Sequence, residues 1–409
     1  MPPLTSYPKE KIKILLLEGV HPEGVRLLRD EGFAVESRAE ALDETDLLKA
    51  VDGVFVLGIR SKTRLTPRVL NKASRLLTVG AFCIGTNQVD LQTAMKCGIP
   101  VFNAPFSNTR SVTDLVIANI LMLFRGLAGK IEKAHQGIWD KSTSGCFEVR
   151  GKTLGIIGYG HIGSQVSILA EALGMRVTYY DIIEKLSLGN AVRTKNLQNL
   201  LEQSDCVTLH VPETAETRGM IGAKQLAWMK PSAFLINTSR GSVVDIEELV
   251  TALRTKKITG AAIDVFPKEP NAAGERFESP LQGLPNVILT PHIGGATVEA
   301  QRNIGLEVAV KLIRFINNGS TEGAVNFPNA VLPDFRGVHR ILHIHKNVPG
   351  VLQKINTMFG EAGINIASQE LRTYGEVGYL IMDTDMKATK TMTAQMQAMP
   401  ETIKVRALF

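Results

Sequence analysis

Several features that would assign this chain to a specialised class are scarce or missing. Its four cysteines, Cys83, Cys97, Cys146 and Cys206, are scattered and form no CxxC pair. That spacing supports neither a disulfide scaffold nor a zinc site, and a reducing cytoplasm is the expected compartment. No apolar run approaches the length of a membrane span. The opening MPPLTSYPKE has no basic start followed by an apolar stretch, so no secretory signal is expected. The closing VRALF matches no retention or prenylation signal. Dense basic runs are also lacking: the net charge is +6, but Lys and Arg are dispersed. This argues against a nucleic-acid partner. The surplus suits anionic substrates and phosphates, whose local concentration a positive cleft raises. What remains is ordinary globular composition, in 409 residues that suffice for two or three domains.

The segments alternate. Strand-like stretches at 11–18, 53–58, 76–82 and 99–105 are separated by helix-like ones that stop at Gly32 and Gly98. A long apolar helix follows in SNTRSVTDLVIANILMLFRGL, with Asn108 or Ser111 as its cap. A second run begins at Gly151, with strands expected at 154–157, 175–181, 206–211, 233–238, 260–266 and 286–290. Such alternation predicts parallel sheets covered by helices, an α/β fold. After a helix over 297–317, a segment rich in Gly, Pro and Asn reads as a linker. The rest follows a different order, strand, helix, strand, strand, helix, strand. That is a ferredoxin-like βαββαβ module, suited to regulation or oligomerisation.

GYGHIG places Gly158, Gly160 and Gly163 in a GxGxxG pattern between a strand and an amphipathic helix. The glycines permit a tight turn and close approach of backbone to a pyrophosphate at the helix N-terminus. Asp181, eighteen residues after Gly163, suits the adenosine ribose and would repel a 2′-phosphate, so NAD is expected over NADP. Tyr159 and His161 fill the variable positions of the loop. His210 reads as a packing residue lining the cleft.

Hydride transfer needs a proton carrier, a group to orient it and a cation for a carboxylate. Three residues follow three different predicted strands, at the ends where such sheets bind ligands: Arg240, Glu269 and His292. A guanidinium can grip a carboxylate with two hydrogen bonds. A carboxylate beside an imidazole orients it and raises its pKa. Pro291 stiffens the approach to His292, and Gly294 and Gly295 leave room for ligands.

GYGHIG, INTSRGSVVD, AAIDVFPKEP and LTPHIGGAT together resemble the signatures of the D-2-hydroxyacid dehydrogenases. GIRSKTRLT, FCIGTNQVDL, NAPFSNTRSV and NIGLEVAVKLI are similar to the branch of that family that oxidises 3-phospho-D-glycerate. The resemblance spans nearly the whole chain and implies a fold of two doubly wound parallel-sheet domains. One is a discontinuous substrate domain, residues 1–109 and 298–330. The other is a Rossmann dinucleotide domain, residues 110–297, with a hinge near the two crossings. A C-terminal ACT domain would span 336–409. Arg240, Glu269 and His292 match the family's catalytic positions, and Arg60, Ser61, Asn108 and Gln301 its substrate contacts. Lys141, from a neighbouring subunit, and Arg38 are expected near the substrate phosphate. Further cofactor contacts are expected at Ile162, Val211, Pro212, Thr217, Thr238, Ser239 and Asp264, and also at Gly294 and Gly295. The implied reaction takes 3-phospho-D-glycerate and NAD to 3-phosphohydroxypyruvate and NADH, opening phosphorylated serine biosynthesis, with 2-oxoglutarate as a further substrate for reduction. A homotetramer is also implied.

HIHKNVPGVL and GINIAS resemble effector loops of serine-inhibited members, which assigns His345, Asn347 and Asn365 to L-serine. Lys346 and Val348 depart from some bacterial relatives, which carry Glu and Arg there. His339, His343 and His345 fall on one face of a strand. No cysteine or acid stands nearby in sequence, so no metal site is expected. Two alternatives stand beside this reading. One is a dehydrogenase for another acid, such as glycerate, lactate or 2-hydroxyglutarate. The other is an NAD-sensing binding protein of the corepressor kind.

Overall fold

A computed structural model describes residues 7–270, 274–333, 339–388 and 390–408. The expected start of the terminal domain at 336 and its last residue, 409, lie outside the described residues. The chain divides into two compact units, one formed by 1–107 with 301–409 and the other by 108–300.

The first unit contains two sheets. β1 (Lys13–Leu16), β2 (Ala34–Ser37), β3 (Val56–Ile59), β4 (Thr78–Ala81) and β5 (Val101–Asn103) form a parallel sheet in the order β2-β1-β3-β4-β5. This is a doubly wound order with a switch point beside the first strand. β1, β3, β4 and β5 are buried almost throughout and are apolar on both faces. That explains why they were legible as short apolar runs. β2, the edge strand AVES, is partly exposed and was not expected. β1 is shorter than the run 11–18, because Glu18 and Gly19 leave strand geometry at positive φ.

The second unit contains β6 (Thr153–Ile157), β7 (Arg176–Tyr180), β8 (Val192–Arg193), β9 (Cys206–Leu209), β10 (Phe234–Asn237), β11 (Gly260–Ile263) and β12 (Val287–Leu289). They form one parallel sheet in the order β12-β11-β10-β9-β6-β7-β8. Counted from β6, this is the dinucleotide-binding order 3-2-1-4-5-6 with a seventh strand added. The helix Thr109–Arg125 buries Val116, Ile120, Leu123 and Phe124 in the core against this sheet. Asn108 precedes its first turn but makes no side-chain cap, and Ser111 instead pairs with Thr297, 2.6 Å between hydroxyls. In the helix His161–Ala172 the buried stripe is Gly163, Val166, Ser167 and Ala170. Three of the four are small, which lets this helix approach the strands closely. Among the described residues no single helix is long and apolar enough to cross a membrane.

β13 (His339–Lys346), β14 (Ile366–Tyr374), β15 (Val377–Thr384) and β16 (Thr402–Leu408) form an antiparallel sheet in the order β14-β15-β13-β16, the ferredoxin-like arrangement. This module belongs to the first unit and closes the C-terminal end of the helix Val298–Asn318. A helix leaves its last carbonyls without internal partners. Here Arg406 donates to the carbonyls of Phe315 and Ile316, Arg340 to that of Asn318, and Tyr379 to that of Gly319. Arg340 is also held by both oxygens of Asp383, at 2.7 and 2.8 Å.

Candidate active site

In the second unit, Arg240, Glu269 and His292 follow the ends of β10, β11 and β12. His292 Nδ1 lies 2.8 Å from Glu269 Oε2. The other oxygen, Oε1, accepts from the Phe266 N–H at 3.0 Å and fixes the carboxylate to its own loop. The hydrogen bond that His292 donates to Glu269 raises the His292 pKa, and the charges of Glu269 and Asp264 add to it. Burial and the Arg240 charge oppose the rise without cancelling it. Burial would push the Glu269 carboxyl up, but hydrogen bonds from His292 and Phe266, with the His292 and Arg240 charges, bring it below its usual value. The His292 side chain is 52% exposed and that of Glu269 34%, so the pair can reach solvent and ligand.

The turn that carries His292 is strained and held. His292 has φ +54°, uncommon for a residue with a side chain, and its N–H bonds back to the Thr290 carbonyl at 3.0 Å. Asp264 is almost fully buried and fastens this turn. Its Oδ1 accepts from Thr290 Oγ1 and the Ile293 N–H, and its Oδ2 from the Gly294 N–H. Both oxygens of Asp264 are thus engaged within the protein. A Cβ at Gly295 would meet the Asn108 amide nitrogen at 2.7 Å and force that side chain to shift.

Arg240 is set by Asn237, a fully buried residue that sequence reasoning missed. Asn237 Nδ2 donates to the Arg240 carbonyl at 3.0 Å, and its Oδ1 accepts from the N–H and hydroxyl of Ser239. A Cβ on Gly241 would strike the Phe266 carbonyl carbon at 2.1 Å, so the Arg240 loop lies directly against the loop leading to Glu269. The only sequence signal for Asn237 was its place at the end of an apolar strand.

The glycine loop fits a dinucleotide. A Cβ on Gly158 would meet the His210 carbonyl oxygen at 2.4 Å, and one on Gly163 the Gly158 carbonyl oxygen at 2.3 Å. At Gly160 nothing lies within 4 Å, so the backbone there is open to a ligand. Gly160 caps the following helix without a side-chain bond. Asp181 directly follows β7, its Oδ2 accepting from the Tyr159 N–H and its Oδ1 from the Ile183 N–H. Tyr159 turns its ring inward, stacked on Tyr179 at 3.9 Å with its hydroxyl 2.8 Å from Ser167. Its ring, hydroxyl and N–H are thus all engaged within the protein. His161 is exposed and Ile162 half-buried at the start of the helix. Val211 is half-buried, Pro212 is exposed, and Thr217 donates to the Pro212 carbonyl at 2.7 Å. Two buried polar atoms, Thr238 Oγ1 and His210 Nδ1, have no partner within the protein. Burial lowers the His210 pKa to about 3, so its imidazole is neutral.

In the first unit, Arg60 Nη2 donates to Gln301 Oε1 at 2.5 Å. Ser61 is exposed beside it, and Arg38 pairs with Glu36 at 2.6 Å. Lys141, in the second unit, is exposed. In the terminal module His345 is 2% exposed, with Nδ1 on the Lys346 carbonyl at 2.8 Å and Nε2 without a hydrogen-bond partner. Asn347 and Asn365 are exposed, and the Asn347 amide reaches the Gly375 carbonyl. Among the described residues no group of His, Cys, Asp and Glu could hold a metal ion.

Residues 117–294 match the NAD-binding domain of the D-isomer specific 2-hydroxyacid dehydrogenases. The chain is 53% identical to the D-3-phosphoglycerate dehydrogenase of Escherichia coli strain K12, over 99% of each. The chain belongs to the D-isomer specific 2-hydroxyacid dehydrogenases. As a member of that family it is an NAD-dependent oxidoreductase. A second relative, the D-3-phosphoglycerate dehydrogenase of Dictyostelium discoideum, is 50% identical over the full length of both chains. Residues 341–404 match an ACT domain of the AHAS small-subunit type. Among solved structures, the TT0316 protein of Thermus thermophilus superposes with a TM-score of 0.70 at 32% identity. That match covers 77% of this chain and 100% of the other.

Proposed function

We propose that this chain oxidises 3-phospho-D-glycerate to 3-phosphohydroxypyruvate as the first step of phosphorylated L-serine biosynthesis. The observation that carries this reading is the 2.8 Å pair of His292 and Glu269 on the strand ends of an NAD-binding sheet. The chain is also half-identical, end to end, to proteins named D-3-phosphoglycerate dehydrogenase.

Bound NAD supplies the hydride acceptor. The protein manages proton and charge. His292 Nδ1 is committed to Glu269, which leaves Nε2 for the substrate hydroxyl. As His292 takes that proton, Glu269 stabilises the imidazolium. Arg240 grips the substrate carboxylate, and its charge limits how far the His292 pKa rises, so the imidazole can still serve as a base. Asp181 receives the adenosine ribose and disfavours NADP. Tyr159, Thr238 and His210 join the glycine loop in holding NAD.

Arg60, Ser61, Asn108 and Gln301 take the remaining polar groups of the substrate. Lys141 and Arg38 are assigned to its phosphate, Lys141 from a neighbouring subunit of a homotetramer. Residues 1–109 with 298–330 form the substrate domain, and 110–297 the cofactor domain. The terminal module binds L-serine through His345, Asn347 and Asn365 as a feedback inhibitor. The enzyme works in the cytoplasm and also reduces 2-oxoglutarate.

The test is NADH oxidation by the purified chain with 3-phosphohydroxypyruvate, with and without L-serine. Turnover suppressed by serine supports the whole reading. Turnover indifferent to serine removes the effector assignment. Turnover with another 2-oxo acid alone replaces the substrate, and no turnover with any leaves a binding protein.

A further inference from the structure

Glu18 lies two residues past β1 and has no role in the reaction described above. It is 8% exposed, deeply buried for a carboxylate. Its Oε1 accepts from the backbone N–H groups of Arg60, at 3.1 Å, and Thr63, at 2.8 Å, and its Oε2 from that of Lys62, at 2.9 Å. Its carbonyl accepts from Arg60 Nη1 at 3.3 Å. Three backbone N–H groups turned toward one point make a nest that ordinarily receives an external anion. Here the protein's own carboxylate fills it. Anionic groups of a substrate are therefore left to side chains, and Arg60 is the guanidinium on this loop.

The backbone at Glu18 is as constrained as its side chain. Its φ is +65° and that of Gly19 is +63°. A residue with a side chain stays in that region only where its surroundings over-determine it. The constraint comes from a second loop: the Glu18 N–H bonds the Glu40 carbonyl at 3.1 Å, and the Gly19 N–H the Arg38 carbonyl at 3.0 Å. Gln88 completes the frame, its amide donating to the Arg60 carbonyl at 2.6 Å and to that of Gly85 at 3.2 Å. Arg60 is thus fixed at its N–H by Glu18, at its carbonyl by Gln88, and at its guanidinium by the Glu18 carbonyl and Gln301.

We infer that Glu18 is a positioning residue for substrate recognition, holding the 60–63 loop so that Arg60 is aimed and ready before the acid arrives. This rests on the functional reading of Arg60 as a substrate contact. Preorganisation of this kind tightens binding without touching the chemical step, so its signature is a rise in KM at constant kcat.

Steady-state kinetics on the full chain with NADH and 3-phosphohydroxypyruvate test it. Glu18→Gln keeps the volume but sets an amide donor against backbone donors. KM for the oxo acid rises about tenfold. KM for NADH and kcat stay within about twofold. In an Arg60→Ala background Glu18→Gln adds nothing further, because its effect runs through Arg60. If Glu18→Gln does not fold, Gln88→Leu loosens the same loop from its other side and carries the same expectations. The proposal is overturned by an equal rise in KM for NADH, by a fall in kcat at unchanged KM, or by a full additive penalty on top of Arg60→Ala. If the unsubstituted chain does not reduce 3-phosphohydroxypyruvate, the functional reading falls on its own. The same KM comparison, made with the 2-oxo acid it does reduce, then decides the role of Glu18.

Discussion

His292 and His343 both belong to strand ends or strands of one chain, yet their surroundings drive them in opposite directions. His292 stands half-exposed on a positive-φ turn with a carboxylate 2.8 Å away, and its pKa is raised. His343 is fully buried in β13, its Nε2 2.7 Å from the Thr402 hydroxyl and its ring stacked on His345. Burial and the neighbouring imidazole push its pKa down to about 3. The first is equipped to exchange a proton near neutral pH, the second to stay neutral throughout. The partner set decides a histidine's work, and the residue type alone says little.

The contrast can be broken at several points. The largest effect is expected from His292→Ala, which should cut kcat about a thousandfold or more. NADH binding, followed by fluorescence titration, should be nearly unchanged. Turnover within a few-fold of normal would remove His292 from the chemistry. Asp181→Ala should narrow the preference for NAD over NADP by about tenfold, read from the ratio of kcat/KM values. An unchanged ratio would leave Asp181 only its bonds to the Tyr159 and Ile183 N–H groups. The smallest effect concerns His343. Between its folded value near 3 and the ordinary imidazole value of about 6.5, the unfolded chain binds the extra proton. Stability therefore falls as pH drops through that window. On going from pH 7 to pH 5 the unsubstituted chain should lose a few degrees more in Tm than His343→Gln. Equal losses would contradict the burial argument.

Much of this was legible in the sequence, for identifiable reasons. Parallel strands buried on both faces read as apolar runs, so β1, β3 to β6 and β9 to β11 were expected within a few residues; β7 and β12, only partly buried, were expected from their apolar and β-branched residues. GxGxxG with Asp181 located the dinucleotide loop, and complementary groups after three strands located Arg240, Glu269 and His292. β2 and the two-residue β8 escaped because they are short, partly or fully exposed, and carry polar residues that leave no pattern. The supports of the site escaped for another reason. Asn237, Gln88 and Glu18 act through bonds to backbone N–H and carbonyl groups, some of them 42 residues away for Glu18. Backbone groups are the same at every position, so such bonds leave no trace in spacing or composition. Asp264 was expected as a cofactor contact. Its three bonds to the 290–294 turn, which hold His292 in place, come from the fold alone.

The most direct test of the proton-carrier role of His292 is the pH dependence of kcat/KM in both directions, with and without Glu269→Gln. Oxidation of 3-phosphoglycerate needs neutral His292 and should rise with pH, whereas reduction of 3-phosphohydroxypyruvate needs the imidazolium and should fall. Both limbs should share one midpoint above about 6.5. Because Glu269 is the main cause of the raised pKa, Glu269→Gln should move both limbs to lower pH. Limbs that run in the same direction, or a shared midpoint that Glu269→Gln leaves in place, would contradict the assignment of His292 as the proton carrier and Glu269 as its partner.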